Sequence, residues 1–290
     1  MKKLYTLLAL TISFSMNAQM DDNSANNNTA GSNAVAMGSS TTASGNVSTA
    51  MGYNTTASGS NAVAMGDSTT ASGLDSTAMG ALTTASGLVS TAMGRNTTAS
   101  GNYSTASGYY TTATDYASTV IGQYNSSGSS ATSVYSFSTS APAFVIGNGA
   151  DSSNKSDAFK VMFNGDATVS NDLTVSGDVV ISSDARLKSN IVSLGSTLPK
   201  LLQIDGKSYE MKGKQKIGVL AQEIQEVFPE LVSEDDNEML AVNYQGLVPV
   251  LINALKEQDA KMNEQETKFE KQQAEIDELK EMVNQLTADK

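Results

Sequence analysis

The chain has 290 residues, a formal net charge of −12 and no cysteine, histidine or tryptophan. These missing residue types exclude disulfide bonds, thiolate or imidazole zinc sites, Cys-His pairs and Ser-His-Asp triads, so any general base must be a carboxylate, a lysine or a tyrosine. The negative charge argues against nucleic acid as a partner, because phosphate binding requires a basic surface. Nothing in the composition predicts a cofactor or a metal site.

The first 19 residues are typical of a secretory signal peptide. Lys2 and Lys3 precede an apolar run at residues 4–14, and small and polar residues lead to Ala18 and Gln19. This is the order of features in export signals. A transmembrane anchor needs about 20 apolar residues, so the run is too short for that alternative, and no later segment predicts a transmembrane helix in the mature chain. We expect a bacterial protein that is secreted or held at the cell surface.

A repeat with a period of fourteen residues fills most of the predicted head, residues 20–130. Glycine recurs at every seventh position from Gly31 to Gly108, and an alanine lies two residues before each glycine after the first. The residue directly before glycine alternates between methionine and serine from Met37 to Ser100. Each period therefore consists of two similar halves of seven residues.

This repeat predicts a parallel β-solenoid. Self-similarity at a fixed period is typical of solenoids and arrays, and seven residues suit a short strand followed by a turn in which glycine adopts positive φ. With two strands per coil and about 4.8 Å between coils, residues 31–128 would form a rod of roughly 33 Å, with alanines on one strand face and methionines on the other. A helical heptad is disfavoured because glycine, serine and threonine are poor helix formers. Disorder is disfavoured because a disordered chain does not require glycine at every seventh position.

The repeats resemble the head repeats of trimeric autotransporter adhesins. The resemblance rests on short apolar phrases ending in glycine, Asn-Ala-Val-Ala-Met-Gly at residues 33–38 and again at residues 61–66, and it covers residues 31–128. It implies a left-handed parallel β-roll with three chains side by side. The expected partners are therefore two further copies of the chain and an unknown surface or host ligand.

A connector and stem are predicted at residues 131–182. Residues 159–163 resemble a strand that enters a tight hairpin turn at Asn164 and Gly165. A six-residue period follows, with aspartate at positions 166, 172, 178 and 184 and an apolar residue at positions 169, 175 and 181. One apolar residue in six cannot form a core in a single chain, so we interpret residues 166–182 as a trimeric β-stem. Two ordinary hairpins are the alternative.

The segment after the stem resembles the C-terminal intramolecular chaperone of phage endosialidase tail spikes, a family of self-cleaving serine peptidases. The resemblance rests on residues 183–188 (Ser-Asp-Ala-Arg-Leu-Lys) together with apolar blocks at residues 217–224, 227–232 and 242–244. It covers residues 183–270 and implies a small α/β chaperone domain at residues 183–245. In that family a Ser-Lys dyad cuts the chain just before the serine.

The resemblance implies that Ser183 is the nucleophile, Lys188 the base and Ser182–Ser183 the bond that is cut. Ser-Lys pairs are a known variant of nucleophilic catalysis. A lysine accepts a proton only when neutral, and the ordinary lysine pKa of about 10.4 falls on burial or beside another cation. Arg186 is the nearby cation, and we expect the trimer to bury the site, so that cleavage follows correct assembly. The alternative is an inactive dyad in a domain that only trimerises.

The last predicted element is a long helix at residues 245–287, and the coiled-coil region is predicted at residues 246–290. Leucine, methionine, phenylalanine, isoleucine and valine occupy one heptad position, and leucine and glutamine share the other. The first set is Leu255, Met262, Phe269, Ile276 and Val283; the second is Leu251, Gln258, Gln265, Gln272, Leu279 and Leu286. Such a seam is compatible with a coiled coil, although the number of helices comes only from the two resemblances. Glu257 with Lys261, and Glu264 with Lys268, are spaced for i,i+4 ion pairs.

Together these features predict a secreted, trimeric, fibrous adhesin-like protein whose C-terminal chaperone trimerises the chain and then cuts itself off. A phage-like tail fibre with the same chaperone is the first alternative, which the signal peptide disfavours. An enzyme acting on an external substrate, such as a glycosidase with paired carboxylates, is disfavoured because residues 20–130 carry few charged side chains.

Overall fold

The structure, a computed structural model, describes residues 27–235 and 238–288. It divides into two compact units, one ending at Val179 and the other beginning at Val180. The predicted signal peptide, residues 1–19, lies outside the described residues. In the part of the chain that the structure describes, no helix has both the length and the apolar character needed to cross a membrane.

The first unit contains a parallel β-solenoid of seven coils, each contributing one two-residue strand and one five-residue strand. The short strands form a seven-stranded sheet, and the long strands form most of a ten-stranded sheet. In chain order these strands are β1 (Asn28–Thr29), β2 (Val35–Ser39), β3 (Thr42–Ala43), β4 (Thr49–Tyr53), β5 (Thr56–Ala57), β6 (Val63–Asp67), β7 (Thr70–Ala71), β8 (Thr77–Ala81), β9 (Thr84–Ala85), β10 (Thr91–Arg95), β11 (Thr98–Ala99), β12 (Thr105–Tyr109), β13 (Thr112–Ala113) and β14 (Thr119–Gln123). The predicted solenoid with two strands per coil is confirmed.

Equivalent residues of successive coils stack in register. In strands β2 and β4, for example, Ala36 pairs with Ala50 and Met37 with Met51. Because successive side chains of a strand point to opposite faces, the alanines form the fully buried interior between the two sheets. The methionines are half-buried on the outer face of the ten-stranded sheet, as the alternation predicted.

The glycines have two different roles, and only one of them was predicted. In the Met-Gly half the glycines have positive φ, as at Gly66 with φ of 120°. In both halves close packing requires glycine: a Cβ on Gly59 would lie 1.9 Å from the carbonyl oxygen of Gly73 in the next coil, and a Cβ on Gly66 would lie 2.0 Å from that of Gly80. The left-handed corner positions are instead occupied by other residues, such as Asn61 and Leu82, both with φ of 56°. The predicted positive φ at glycine therefore holds for the Met-Gly half and not for the Ser-Gly half.

A column of threonines with a spacing of fourteen residues runs through the interior of the solenoid. All six are fully buried, and five of their hydroxyls have no hydrogen-bond partner. The five are Thr55, Thr69, Thr83, Thr97 and Thr111. An asparagine occupies the equivalent position at each end of the column and forms hydrogen bonds with the terminal coil. The side-chain oxygen of Asn27 accepts from the Thr41 hydroxyl at 2.8 Å. The side chain of Asn125 accepts from the backbone N–H of Thr112 and donates to its carbonyl.

Thr69→Val is expected to stabilise the head by roughly 1 kcal/mol, because it replaces a buried hydroxyl that lacks a partner with a methyl group of similar shape. Thr41→Val is the matched control. It occupies the same column but loses the hydrogen bond to Asn27, so it should lower the free energy of unfolding. Thermal unfolding of the full-length variants measures both effects, and a destabilised Thr69→Val would contradict the prediction.

Asp115 interrupts the glycine register of the coils, which resumes at Gly122. It occupies a glycine position of the repeat, and its carboxylate accepts hydrogen bonds from the backbone N–H groups of Thr132 at 2.6 Å and Ser133 at 2.7 Å. Beyond this point three strands complete the ten-stranded sheet: β15 (Pro142–Asn148), parallel to β14, then β16 (Asp157–Met162) and β17 (Ala167–Val169), both antiparallel. The turn between β16 and β17 contains Gly165 with φ of 95°, which confirms the predicted hairpin.

The predicted stem at residues 166–182 has regular strand structure only in β17. Residues 170–182, all of which the structure describes, are extended without strand pairing, and their side chains are exposed. The exposed apolar side chains include Val175, Val179 and Ile181. The physical reason is the one noted from the sequence: with one apolar residue in six, a single chain has nothing to pack these side chains against. The trimeric stem remains a prediction.

The second unit contains two small antiparallel hairpins, two short helices and one long helix. In chain order they are α1 (Leu198–Leu201), β18 (Lys207–Met211), β19 (Lys214–Gly218), α2 (Ala221–Val227), β20 (Val232–Glu234), β21 (Leu240–Val242) and α3 (Leu247–Ala288). Its small core contains Ile224, Val227 and Phe228, packed with Val250 from the start of α3. A small α/β domain followed by a long helix agrees with the predicted fold class.

Candidate active site

The candidate site lies in a single exposed turn at the start of the second unit. Residues 185–187 form one turn of 3-10 helix, and Asp184 precedes it as the N-cap residue. The Asp184 carboxylate accepts a hydrogen bond from the backbone N–H of Arg186 at 2.8 Å. This turn reverses the direction of the chain, so that the side chain of Lys188 approaches the residue before the turn.

The two side chains of the predicted dyad are in contact. Lys188 Nζ lies 2.8 Å from Ser183 Oγ and donates a hydrogen bond to it. This is the distance that proton transfer between a serine hydroxyl and its base requires. The geometry is therefore compatible with Ser183 as a nucleophile, once the lysine is a neutral amine that accepts the hydroxyl proton.

A shallow cavity of about 450 Å³ lies beside the bond that the dyad would cut. It is lined by Ser182, Asp184, Arg186 and Leu187. In residues 27–235 and 238–288 the structure contains no group of three or more acidic side chains able to hold a metal ion. The polar groups of the turn are the Ser183 hydroxyl, the Lys188 amine and the Asp184–Arg186 ion pair.

The single chain does not test the expected burial of the dyad in a trimer, and it gives Arg186 a partner that was not predicted. Residues 164–196 are exposed, so Ser183 and Lys188 are not buried. Arg186 was expected to act on the lysine as a neighbouring cation, but its guanidinium forms an ion pair with Asp184 at 2.6 Å. This pair lowers the pKa of the Asp184 carboxyl and raises the pKa of Arg186. The charge of Arg186 is therefore largely compensated within the turn.

A second contact fixes the chain that follows the turn. Both carboxylate oxygens of Glu257, on α3, accept hydrogen bonds from residues 196–198: the Ser196 hydroxyl at 2.7 Å, the Leu198 N–H at 3.2 Å and the N–H of Thr197. The buried Thr197 hydroxyl also donates to the Val250 carbonyl at 3.0 Å. Glu257 thus binds the N-terminal end of α1 rather than serving mainly in the predicted pair with Lys261. The other predicted pair, Glu264 with Lys268, forms at 2.6 Å.

Sequence reasoning missed the contributions of Asp184 and Glu257. An aspartate directly before a turn is a recognisable capping signal, so the role of Asp184 could have been found. Glu257 is 60 residues from Thr197 in the sequence, and no local pattern connects the two. Only the packing of α1 against α3 brings them together.

The hydrogen bonds to Glu257 predict an acid-sensitive contact. They hold the pKa of this carboxyl below its ordinary value, the Ser196 hydroxyl making the largest contribution. A group whose pKa is lowered by folding stabilises the fold above the ordinary glutamate pKa of about 4.3, and the stabilisation is lost as pH falls through the lower folded value. Glu257→Gln should therefore reduce the melting temperature of the second unit at pH near 7, whereas the difference from wild type should disappear in acid well below pH 4.

The control for this experiment is Glu264→Gln, which removes an exposed i,i+4 ion pair on the same helix. Exposed pairs of this kind contribute little to stability, so its melting temperature should stay close to that of wild type at both pH values. A Glu257→Gln variant that melts like wild type near pH 7 would contradict the role of Glu257.

Two parts of the chain match known families. Residues 183–233 match the family described as chaperone of endosialidase, and six overlapping matches to the YadA head domain repeat lie between residues 30 and 125. The predicted fusion is confirmed. Adhesin-like head repeats precede an endosialidase-type chaperone segment whose matched region begins at Ser183. No protein in the curated collection matches the chain.

Proposed function

We propose that the protein is a secreted, trimeric, adhesin-like fibre whose C-terminal unit trimerises the chain and then cuts the bond between Ser182 and Ser183. The observation that carries the proposal is the contact of 2.8 Å between Lys188 Nζ and Ser183 Oγ, at the residue where the match to the chaperone family begins. Head repeats of the YadA type suggest a trimer at the cell surface or in the medium.

The head offers a surface on which further copies of the chain can pack. Its outer face carries a column of methionines, half-buried in the single chain and stacked at the strand spacing. The column is Met37, Met51, Met65, Met79 and Met93. A continuous apolar column on a fibre is suited to burial against another chain, because it removes apolar area from water.

The long helix α3 uses two faces for different purposes. Leu247, Val250, Ala254 and Glu257 share one face by their spacing of three and four residues, and this face contacts the rest of the second unit. The predicted heptad positions lie about 100° round the helix from that face, and the apolar residues there whose burial the structure describes are exposed: Leu255 is 71% exposed and Phe269 is 67% exposed. We infer that this second face forms the trimeric coiled coil.

Cleavage would proceed as an acyl transfer within the chain. Lys188, as a neutral amine, takes the proton of Ser183 Oγ while the oxygen attacks the carbonyl carbon of Ser182. The peptide C–N bond breaks and the proton passes to the nitrogen of Ser183, which leaves an ester between the Ser182 acyl carbon and Ser183 Oγ. Water then hydrolyses the ester to a carboxylate on Ser182 and a free hydroxyl and amine on Ser183.

Assembly would control this reaction through burial. A lysine is a poor base in water because it carries a proton, and removal of water favours the neutral amine. In the single chain the turn at residues 183–188 is exposed. Neighbouring chains of the trimer would cover it and exclude water, so that only correctly assembled fibres release the chaperone.

The whole proposal is tested by purifying the full-length protein without residues 1–19 and measuring its sedimentation and intact mass. The expected result is a trimer whose chains are cut into two fragments, the second being residues 183–290. A trimer of uncut chains would show that the second unit is a non-cleaving trimerisation cap. An uncut monomer would contradict both the proposed trimerisation and the proposed cleavage.

A further inference from the structure

Ser183 and Lys188 are five residues apart, and an extended chain would separate such residues by roughly 16 Å. The observed contact between their side chains therefore depends on the turn at residues 185–187. The backbone holds this turn with two hydrogen bonds, from the N–H of Leu187 to the Asp184 carbonyl and from the N–H of Lys188 to the Ala185 carbonyl, both at 3.1 Å.

The turn receives no support from a hydrophobic core. None of its residues is buried, and single 3-10 turns are not stable without further contacts. The side chain that supplies such contacts is Asp184. Its Oδ1 accepts from the Arg186 backbone N–H at 2.8 Å, and its two oxygens also accept from the guanidinium of Arg186 at 2.6 to 3.1 Å.

We propose that Asp184 is a positioning residue for the cleavage reaction: its carboxylate caps the turn that holds Lys188 against Ser183. This inference rests on the proposed self-cleavage and adds a residue to it. Asp184 does not act on the scissile bond, since its oxygens are engaged by Arg186. Arg186 contributes mainly its backbone N–H, and its guanidinium secures the carboxylate in the capping position.

The test uses substitutions of Asp184 in the full-length protein that separate the effect of capping from the effect of charge. Trimers are first isolated by size, and the rate of cleavage is then measured in them. Asp184→Ala removes the cap and should slow cleavage roughly tenfold, the effect of losing a good N-cap. Asp184→Asn and Asp184→Ser are good caps without charge and should cleave within about threefold of wild type. Arg186→Gln keeps the backbone donor and should cleave like the asparagine variant.

The pH dependence of cleavage provides a second measurement. Because Lys188 remains the base in every variant, cleavage should rise with pH in all of them, and the rates on the plateau at high pH should keep the order set by capping. If Asp184→Ala does not assemble, Asp184→Glu replaces it: glutamate keeps the charge but is too long to cap the same N–H. Slower cleavage by Asp184→Glu than by Asp184→Asn supports the proposal.

Three results would overturn the capping role. They are cleavage by Asp184→Ala at the wild-type rate, cleavage by Asp184→Asn as slow as that of Asp184→Ala, and cleavage by Asp184→Glu at least as fast as that of Asp184→Asn. These results are distinct from failure of the proposed function itself. In that case the wild-type trimer stays uncut, or Ser183→Ala cleaves as fast as wild type, whatever occupies position 184.

Discussion

Ser183→Ala and Lys188→Ala should each yield one uncut chain that still forms trimers. The first substitution removes the oxygen that attacks the Ser182 carbonyl, and the second removes the group that accepts its proton. Loss of a nucleophile or its base reduces catalysis by several orders of magnitude, so no fragment of residues 183–290 should form during purification. Intact mass measures cleavage, and sedimentation measures assembly, which precedes it.

Two controls separate the dyad from its surroundings. Ser182→Ala changes only the residue before the bond and should still cleave. Lys188→Arg keeps a positive charge in the turn but cannot become a neutral base, so it should stay uncut. Cleavage of Ser183→Ala at the wild-type rate, or a new N-terminus at another residue, would show that the dyad is wrongly assigned.

Phe269→Asp should abolish or strongly weaken trimer formation. Phe269 lies at the centre of the exposed heptad face of α3 and is 67% exposed in the single chain. A coiled coil would bring three carboxylates together on its axis, and burial of unpaired like charges costs several kcal/mol. Assembly should therefore weaken at least 100-fold, as measured by sedimentation over a range of concentrations.

The matched control is Thr267→Asp. Thr267 lies two residues earlier on the outer side of the same helix, where its hydroxyl donates to the Asn263 carbonyl, and a charge there should leave the trimer intact. Since cleavage is proposed to follow assembly, Phe269→Asp should also remain uncut. Normal trimers of Phe269→Asp would exclude α3 from the assembly mechanism.

The fold of the head was predictable because its repeat is nearly invariant. A column of identical residues every fourteen positions can stack only if each period forms one coil, and Ala36 and Met37 show the alternation of a strand within that period. The conformation of individual glycines was not predictable. Gly59 and Gly66 look alike in the sequence, and the next coil approaches both too closely for a Cβ, but only Gly66 also has positive φ.

The candidate dyad was also predictable, because Ser183 and Lys188 are close in the sequence and lie in a recognisable motif. Its surroundings were not. Arg186 was predicted to be a cation near the lysine, and its ion pair with Asp184 at 2.6 Å was not predicted. The interactions of a charged side chain depend mainly on its nearest charged neighbour. Several charged residues lie close together in this turn, so the sequence alone did not show which of them would pair.

The sequence by itself determined the coil period, the face of each strand and the heptad spacing of α3, since all of these depend on residues near one another along the chain. The dyad was predicted only through the resemblance to the chaperone family. Only the tertiary structure decided which hydroxyls of the threonine column lack a partner and how Asn27 and Asn125 complete its ends. It also decided that Glu257 holds Thr197 and α1. The period places Asn27 one coil before Thr41, but which hydroxyls find a partner depends on how the coils pack. Glu257 and Thr197 are 60 residues apart with no pattern that links them, so their contact arises only from the packing of α1 against α3.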